Sequence, residues 1–335
     1  MIYLFVTQEK DIPFIDTIQC GDNNTLVKEL PDKCIDLIIT SPPYFQQRDY
    51  GGGSLGSESE VNNYLDALLD LLKEELRILK PGGNIVYNIG DKYKNGSLLL
   101  IPFRFAIKAT EELGIKLVNN ITWVKSNPTP RQYNKRLVNS TEPFFHFAKS
   151  SDYYYDLDHY HATKPQKKNT PGANFGKRYY ELIEQSKLTS EQKEIARTEL
   201  SNVIDEVRSG VISSFRMKIR GIHSLPFGGQ DGGRMIQLSK KGFTIIRIPG
   251  NSIKRDVVES SVETIKGNIH PAVYPEAIIG DLVTLLSPIN GVVLDPYMGS
   301  GTTAIAAIKN NRHYIGFEIV PEYCNMATSR LAELL

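Results

Sequence analysis

The chain alternates short apolar runs with longer segments in which apolar positions recur at helical spacing. Ile35–Ile39 is rich in β-branched residues, the pattern of a strand buried on both faces. Further strands are predicted at 1–6, 84–91, 116–124, 141–148, 243–248, 292–295 and 314–317, and helices at 24–30, 61–79, 101–113 and from 302. Strands that alternate with helices predict an α/β fold with a doubly wound, mostly parallel sheet and a hairpin-like end.

The strand predicted at 35–40 stops at the sequence Ser41-Pro42-Pro43-Tyr44. Two consecutive prolines fix their own φ angles and remove two backbone donors, so this loop is stiff. It presents a serine hydroxyl, carbonyl oxygens and a tyrosine ring at the carboxyl end of a strand, where open α/β sheets bind their ligands. For Pro-Pro-Tyr alone, a rigid turn without chemistry is the simpler interpretation. The longer motif Thr40–Tyr44 favours a functional site.

A second pattern lies near the carboxyl terminus, where a predicted strand ends in Asp295 and a glycine turn leads into a helix. Glycines allow a ligand to approach the backbone, and a helix N-terminus favours a carboxylate. The turn has no lysine after its second glycine and does not match G-x-G-x-x-G, so it is neither a P-loop nor a dinucleotide motif. Asp295 suits a cationic amine. Glu318 follows 23 residues later, about the interval at which a carboxylate meets ribose hydroxyls.

Thr40–Tyr44 and Asp295-Pro296-Tyr297-Met298-Gly299-Ser300-Gly301-Thr302-Thr303 together closely resemble the motifs of amino-group DNA methyltransferases. Their order, with the catalytic motif first, is similar to the permuted (beta) class, and Ser-Pro-Pro-Tyr is typical of its cytosine-N4 members. The resemblance covers about residues 21–150 and 268–335. It implies a seven-stranded methyltransferase sheet, S-adenosyl-L-methionine as cofactor and methyl transfer to N4 of a flipped cytosine. It also requires the last strand of the chain to lie beside the catalytic strand.

The resemblance assigns roles to single residues. An exocyclic amine is a poor nucleophile because its lone pair is delocalised, and the Ser41 hydroxyl and the Pro42 carbonyl offer acceptors that localise it. Tyr44 offers a ring face to a flipped base, and Pro43 completes the catalytic loop. The predicted cofactor site comprises Asp22, Thr40, His270, Asp295, Pro296, Gly299, Ser300, Gly301, Thr302 and Glu318. Helix capping is an equally good interpretation of Asp22. Residues 270–276 resemble the family's motif just upstream of the cofactor loop, and a proline-bracketed loop that starts a helix is the alternative.

The net charge of the chain is only +1, but basic residues are concentrated in one segment. Residues 208–255 carry ten Lys or Arg against one acid, which gives this block about +9 and leaves about −8 for the rest. Such a block can supply the phosphate contacts that dominate non-specific DNA affinity; a solvated basic face without a partner is the alternative. The predicted DNA contacts are Arg48, Arg216, Lys218, Arg220, Arg234, Lys240 and Lys241.

Composition divides the chain into three regions. Residues 1–163 are predicted to hold the catalytic part of the methyltransferase domain, and residues 264–335 its S-adenosylmethionine-binding part. Residues 164–263 form the predicted target-recognition region, which opens with a basic stretch containing prolines and glycines and continues with a charged helical stretch at 179–208. No named DNA-binding motif occurs there, so this assignment depends on position and charge.

Three cysteines without metal-ligand spacing, and no apolar run long enough to span a bilayer, predict a cytoplasmic protein with reduced thiols and no metal site. The resemblance implies double-stranded DNA as substrate and a cognate restriction endonuclease as functional partner in a restriction–modification system. Some members form homodimers, so that state stays open. An adenine-N6 enzyme is the nearest alternative, because both amines need the same acceptors. A catalytically inactive DNA-binding relative is the second alternative, and a nucleotide-dependent oxidoreductase the third.

Overall fold

A computed structural model describes residues 12–47, 55–128, 135–157, 172, 174–223, 234–248, 255–262 and 274–334. The strand predicted at 1–6 lies outside these ranges. The chain divides into two compact units, Met1–His161 with Arg255–Leu335, and Ala162–Lys254. The second unit falls largely within the predicted target-recognition region, whose predicted end is residue 263. Its role in target recognition stays a prediction.

The structure contains the strands and helices predicted within the described residues and adds others that the apolar pattern did not predict. The strands are β1 (Thr17–Cys20), β2 (Ile35–Thr40), β3 (Leu79–Asn88), β4 (Tyr93–Lys94), β5 (Ser97–Leu98), β6 (Lys116–Lys125), β7 (Thr141–Ala148), β8 (Ser214–Ile219), β9 (Phe243–Ile248), β10 (Val257–Ser260), β11 (Val292–Asp295) and β12 (His313–Glu318). The helices are α1 (Asn23–Glu29), α2 (Val61–Ile78), α3 (Ile101–Leu113), α4 (Lys177–Gln185), α5 (Ser190–Arg208), α6 (Arg234–Lys241), α7 (Glu276–Leu286), α8 (Thr302–Lys309) and α9 (Pro321–Ala332). Within the described ranges, none of the helices combines the length and hydropathy that crossing a bilayer requires.

The main sheet of the first unit has, in the described residues, the strand order β1-β12-β11-β2-β3-β7-β6-β10. β7 is antiparallel to both of its neighbours, and the other neighbouring pairs are parallel. The predicted α/β fold with a large, mostly parallel sheet is therefore confirmed. The sheet has one strand more than the seven predicted, because β10 adds to the edge of β6, where Val257 is paired with Thr122.

The strand beside β2 differs from the prediction, which placed the last strand of the chain there. β11, and not the last strand β12, is paired with β2 through Leu294 and Ile38. β12 lies on the far side of β11, between it and β1. Because β2, β11 and β12 are parallel, their carboxyl ends meet at one edge of the sheet, where ligands of such folds bind.

The apolar residues of β2 alternate between two cores, which explains why both faces of this strand are apolar. Ile35 and Ile38 belong to a core with residues of α2 and α3, and Leu37 and Ile39 to a core with residues of α7 and α8. All four side chains are 0% exposed. Burial of one such side chain stabilises the fold by about 1.5–3 kcal/mol. The two cores therefore fix the position of β2 and of the loop that follows it.

The pairing of β2 with β3 is irregular where the chain leaves α2. α2 ends at Ile78, one residue before its predicted end, and β3 begins at once at Leu79, five residues before its predicted start at Asn84. The register of the pair shifts between Ile35 and Leu37. A Cβ at Gly83 would lie 3.0 Å from the Asp36 carbonyl oxygen, so glycine permits the close approach of the two strands.

The second unit combines helices α4 and α5 with the antiparallel pair β8 and β9. Its core contains Phe215, Met217 and Ile219, which alternate with polar residues along β8. The predicted helical stretch at 179–208 is confirmed as two helices, and the predicted strand at 243–248 is confirmed as β9. α5 begins with a capping box formed by Thr189 and Gln192, which explains where the second helix starts.

Candidate active site

The proline loop after β2 is held against neighbouring elements. The four residues 41–44 are buried or partly buried. The Tyr64 hydroxyl of α2 donates to the Pro43 carbonyl oxygen at 2.9 Å. The Tyr44 ring lies against the backbone of Gly90, where a Cβ would be 2.3 Å from Cε2 of the ring. Glycine at this position is therefore needed for the observed placement of the ring.

Ser41 and Tyr44 belong to a hydrogen-bonded cluster with three residues that the sequence did not identify as site residues. The Ser41 hydroxyl lies 3.3 Å from Tyr44 Oη and 3.4 Å from Asn88 Oδ1. The Tyr44 hydroxyl lies 2.9 Å from Asn88 Oδ1 and 3.1 Å from Glu142 Oε2. Lys125 forms an ion pair with the other carboxylate oxygen of Glu142. These five residues are called the Tyr44 cluster below.

The three additional members of the Tyr44 cluster come from strand ends, and Lys125 is the last residue of β6. Asn88 is the last residue of β3, and Glu142 is the second residue of β7, which is antiparallel to β3. The sequence signal for Asn88 was the polar tip of its predicted strand. Glu142 had no signal beyond its place at the start of a predicted strand, because only the pairing of the strands brings it to Tyr44.

Asp295, at the end of β11, accepts four hydrogen bonds. Oδ1 accepts from the Thr40 hydroxyl at 2.6 Å and from the Tyr297 backbone N–H at 3.0 Å. Oδ2 accepts from the Tyr274 hydroxyl at 2.9 Å and from the Thr303 hydroxyl at 2.6 Å. The residue is 1% exposed, and burial raises the pKa of its carboxyl, which these donors oppose. Asp295 thus connects the two loops, and its predicted place opposite a cationic amine stays a prediction.

The glycine turn between β11 and α8 has backbone angles that favour glycine, with φ of +52° at Gly299 and +83° at Gly301. Glu318 supports this turn: Oε2 accepts from the Gly299 N–H at 2.8 Å and Oε1 from the Val320 N–H at 2.9 Å. Burial raises the pKa of the Glu318 carboxyl, and these backbone donors oppose the rise. A carboxylate with lone pairs left on both oxygens suits two neighbouring hydroxyl groups, as in a ribose.

The other predicted cofactor residues lie on the same turn or beside it. Ser300 and Thr302 are buried, with their hydroxyl oxygens 3.3 Å apart. The Pro296 carbonyl oxygen accepts from Asn23 Nδ2 at 3.0 Å, which connects the turn to α1. Asp22 is the N-cap of α1 and accepts from the backbone N–H two residues later at 3.2 Å. The capping interpretation of Asp22 is thus the one that the structure shows, and its cofactor role stays a prediction.

The predicted DNA-contact residues of the second unit occupy exposed or partly exposed positions: Arg216, Lys218, Arg220, Lys240 and Lys241. Arg216 and Lys218 alternate with the core residues of β8, so their side chains leave the strand on the face opposite that core. Lys241 forms an ion pair with Glu199 of α5 at 3.0 Å. The basic block is therefore partly neutralised by the acidic helix that precedes it.

Arg48 and His270 lie outside the described residues, and for Arg234 the structure describes only the backbone at the start of α6. Within the predicted motif 270–276, Tyr274 is described, and its hydroxyl reaches Asp295. This motif therefore contacts the end of β11 through Tyr274, a residue that the sequence analysis did not single out.

A glycine turn after one parallel strand, a carboxylate at the end of the next and a proline loop on the adjacent strand define an α/β methyltransferase. Residues 35–329 match the family N6_N4_Mtase, described as DNA methylase, and the chain belongs to this family. The predicted class, DNA methyltransferase, and the predicted cofactor, S-adenosyl-L-methionine, are confirmed at this level.

Individual relatives agree with this family over most of the chain. The type II methyltransferase M.SfiI of Streptomyces fimbriatus is 27% identical over an alignment of 370 positions. The alignment covers 90% of this chain and 88% of that protein. The PvuII DNA methyltransferase (cytosine-N4-specific) has a similar fold, with a TM-score of 0.59 at 20% identity over 93% of this chain and 85% of that one. A DNA modification methylase structure from Thermus thermophilus, in complex with S-adenosyl-L-methionine, has a TM-score of 0.52 at 22% identity over 95% and 93%.

Proposed function

We propose that the chain transfers a methyl group from S-adenosyl-L-methionine to N4 of a cytosine flipped out of double-stranded DNA. The observation that carries the proposal is the hydrogen bond of 2.6 Å from the Thr40 hydroxyl to Asp295 Oδ1. Thr40 directly precedes residues 41–44, and Asp295 precedes the glycine turn. Methyl transfer to an amine needs mainly two reactants held in line. Two loops joined through buried residues at adjacent strand ends supply fixed places for both reactants.

The glycine turn fits the cofactor, which when bound supplies an electrophilic methyl group on a sulfonium. Glu318 would accept hydrogen bonds from the ribose hydroxyl groups, since the Gly299 and Val320 N–H groups orient its carboxylate oxygens. The N-terminus of α8 would hold the carboxylate of the methionine moiety. The angles at Gly299 and Gly301 are those of a turn that lets a ligand approach the backbone.

The proline loop supplies the groups that an exocyclic amine requires. The Ser41 hydroxyl oxygen and the Pro42 carbonyl oxygen would accept hydrogen bonds from the two N–H groups of the amine and so localise its lone pair. The described partners of Ser41 are a phenol and an amide, and neither is a base that activates a serine nucleophile. Ser41 therefore acts as an acceptor and not through a covalent intermediate. Tyr44 would stack on the flipped base.

The DNA assignment draws on the second unit and on the relatives. Arg216 and Lys218, on the face of β8 opposite the core, would contact phosphates. M.SfiI is named a type II methyltransferase, which supports a role in restriction–modification with a cognate endonuclease as functional partner. The fold of the PvuII enzyme, named as cytosine-N4-specific, supports cytosine as the target. Homodimerisation stays a prediction, to be tested by sedimentation.

The proposal is tested by transfer of a labelled methyl group to DNA, followed by digestion to nucleosides and identification of the modified base. N4-methylcytosine is the expected product. N6-methyladenine would replace the cytosine assignment by the adenine alternative. A folded protein that binds S-adenosyl-L-methionine in a calorimetric titration but methylates no DNA would instead be an inactive relative.

Ser41→Ala tests the role of the proline loop in the same assay. Affinity for cofactor and duplex should stay nearly intact while the single-turnover rate falls, because an interaction strengthened in the transition state affects rate and not binding. Tyr44→Ala should also reduce flipping, since stacking contributes about 1–3 kcal/mol per base. A base analogue that fluoresces when unstacked reports flipping directly. A parental rate in Ser41→Ala would exclude the amine-polarising role.

A further inference from the structure

Glu142 lies between a phenol and a cation at the start of β7. Its Oε2 is 3.1 Å from Tyr44 Oη, and its other oxygen pairs with Lys125. The side chains of Glu142 and Lys125 are 16% and 19% exposed, so water has little access to the pair. A carboxylate in such surroundings is a stronger acceptor than one in open water. Through its hydrogen bond with Tyr44, Glu142 is connected to the Ser41 hydroxyl of the proline loop.

The hydroxyl protons of the Tyr44 cluster can be assigned by counting donors and acceptors. Asn88 Nδ2 donates to the Pro143 carbonyl oxygen at 3.0 Å, which fixes the amide and makes Oδ1 an acceptor. Tyr44 has one proton, and its described contacts include two acceptors, of which the Glu142 carboxylate is the stronger. The Ser41 proton then goes to Tyr44 Oη or to Asn88 Oδ1. In both cases the proton points into the cluster, and the remaining lone pairs of Ser41 are turned away from it.

We propose that Glu142 is a positioning residue that sets this direction and is the terminal proton acceptor of a chain from Ser41 through Tyr44. The inference rests on the proposed function, because only an amine substrate gives the chain a proton to carry. With its own proton directed into the cluster, Ser41 Oγ accepts from an N–H bond of the target amine. Once the nitrogen has bonded to the methyl carbon and the carbon–sulfur bond has broken, the nitrogen is cationic and must lose a proton.

The proton balance closes within the chain. The amine proton passes to Ser41 Oγ, the Ser41 proton to Tyr44 Oη, and the Tyr44 proton to Glu142 Oε2. The electron pair of the N–H bond returns to the nitrogen, and Glu142 becomes a neutral carboxylic acid beside Lys125. Loss of this proton to water restores the carboxylate. The separation of 3.3 Å between Ser41 and Tyr44 is long, but catalytic hydrogen bonds commonly tighten when reactants bind.

The experiment compares the single-turnover rates of the parent, Glu142→Gln, Tyr44→Phe and the double variant. Glu142→Gln keeps the shape but replaces the acceptor with a group that donates to Tyr44, which reverses the chain. The rate should fall about 100-fold or more, the usual contribution of a positioned proton acceptor. Cofactor and DNA affinity should stay within about twofold of the parent. The double variant should be no slower than the slower single variant, because both changes break one chain.

A further readout separates the chain from a structural role. In protein labelled at tyrosine Cζ, the Tyr44 resonance, assigned by its loss in Tyr44→Phe, should shift in Glu142→Gln. Glu259→Gln, the same change at an exposed position of β10, is the matched control and should move none of these quantities.

The outcomes distinguish the chain from the proposed function. Multiplicative rate effects of the two single variants, or an unshifted Tyr44 resonance in Glu142→Gln, would overturn the chain while methylation by the parent stands. A parent that methylates no amine would overturn the proposed function and the chain together. Should Glu142→Gln fail to fold, Glu142→Asp keeps the charge but withdraws it by one methylene. A parental rate in that variant would likewise overturn the chain, and a reduced rate with unchanged cofactor and DNA affinity would support it.

Discussion

The hydroxyl of Thr40 donates to Asp295 Oδ1 at 2.6 Å, although 255 positions separate the two residues along the chain. Thr40 ends β2 and Asp295 ends β11, and the two strands are paired through Ile38 and Leu294. Both residues are almost fully buried, at 1% exposure each. The proline loop and the glycine turn are therefore positioned relative to each other by short contacts inside the fold.

Gly90→Ala should displace the Tyr44 ring, because the added Cβ would lie 2.3 Å from it. A misplacement of about 1 Å at a catalytic group costs about 100-fold in rate, so we expect a loss of this size with cofactor affinity retained. Single-turnover methylation measures the effect. Gly280→Ala on α7, where the nearest atom would be 3.3 Å from the Cβ, is the control and should keep the parental rate. Equal rates for both variants would contradict a role for the ring position.

Glu318→Ala should weaken S-adenosyl-L-methionine binding by about 1–3 kcal/mol, the usual effect of losing a charged hydrogen bond. The variant also removes the acceptor of the Gly299 and Val320 N–H groups, which loosens the glycine turn. Calorimetric titration measures the change. Glu322→Ala, an exposed carboxylate on α9, should bind as the parent does. Unchanged affinity in Glu318→Ala would remove this residue from the cofactor site.

Arg216→Ala should weaken binding to all DNA sequences and lower the slope of affinity against salt by about one unit, as expected for one lost phosphate contact. Lys241→Ala should have a smaller effect, because Lys241 already pairs with Glu199. Lys240→Ala, at an exposed position beside it, is expected to resemble Arg216→Ala. DNA titrations at several salt concentrations make the comparison. A full salt slope in Arg216→Ala would show that β8 faces away from DNA.

His146 should remain neutral well below the pH at which a histidine side chain usually takes up a proton. Its Nε2 lies 2.8 Å from Asn84 Oδ1 and its Nδ1 3.2 Å from Asn119 Nδ2, and burial lowers its pKa from 6.5 to about 4. The stability of this arrangement is complete above pH 6.5 and is lost as the pH falls towards 4, by about 2 kcal/mol at pH 5. The histidine ring resonances, followed by NMR as the pH is changed, give the pKa. Unfolding experiments above pH 6.5 and at pH 5 give the change in the free energy of unfolding. Titration near 6.5 would contradict the prediction.

Glu75→Gln should remove a loss of stability at high pH. The Tyr87 hydroxyl donates to Glu75 Oε2 at 2.8 Å, whereas Oε1 has no hydrogen-bond partner among the described residues. Burial raises the pKa of Glu75 from 4.5 to about 8, so the parent loses stability as the pH rises between these values. The variant cannot ionise, and its advantage over the parent should grow by about 3 kcal/mol from pH 5 to pH 8. Denaturant titrations at both pH values measure it, and a pH-independent difference would contradict it.

Local patterns were enough to predict most elements of the sheet and its helices. The apolar run at 35–40 and the helical spacing at 101–113 are properties of neighbouring residues, and both predictions are confirmed. The position of β11 beside β2 depends on which strands pair, and no local pattern encodes that choice. Glu142 was missed for the same reason, since its contact with Tyr44 exists only once β7 has paired with β3.

The strand order also governs when the protein becomes competent during its synthesis. β2 is made early, but its partner β11 follows about 250 residues later. At about 5–20 residues per second, the ribosome needs roughly 10–50 s to cover that distance. Until then the central pair of the sheet cannot form, and closing so long a loop is itself slow. A nascent chain therefore carries its proline loop without the glycine turn beside it. Under the proposed function, the ability to methylate DNA arises only when β11 and β12 have entered the sheet.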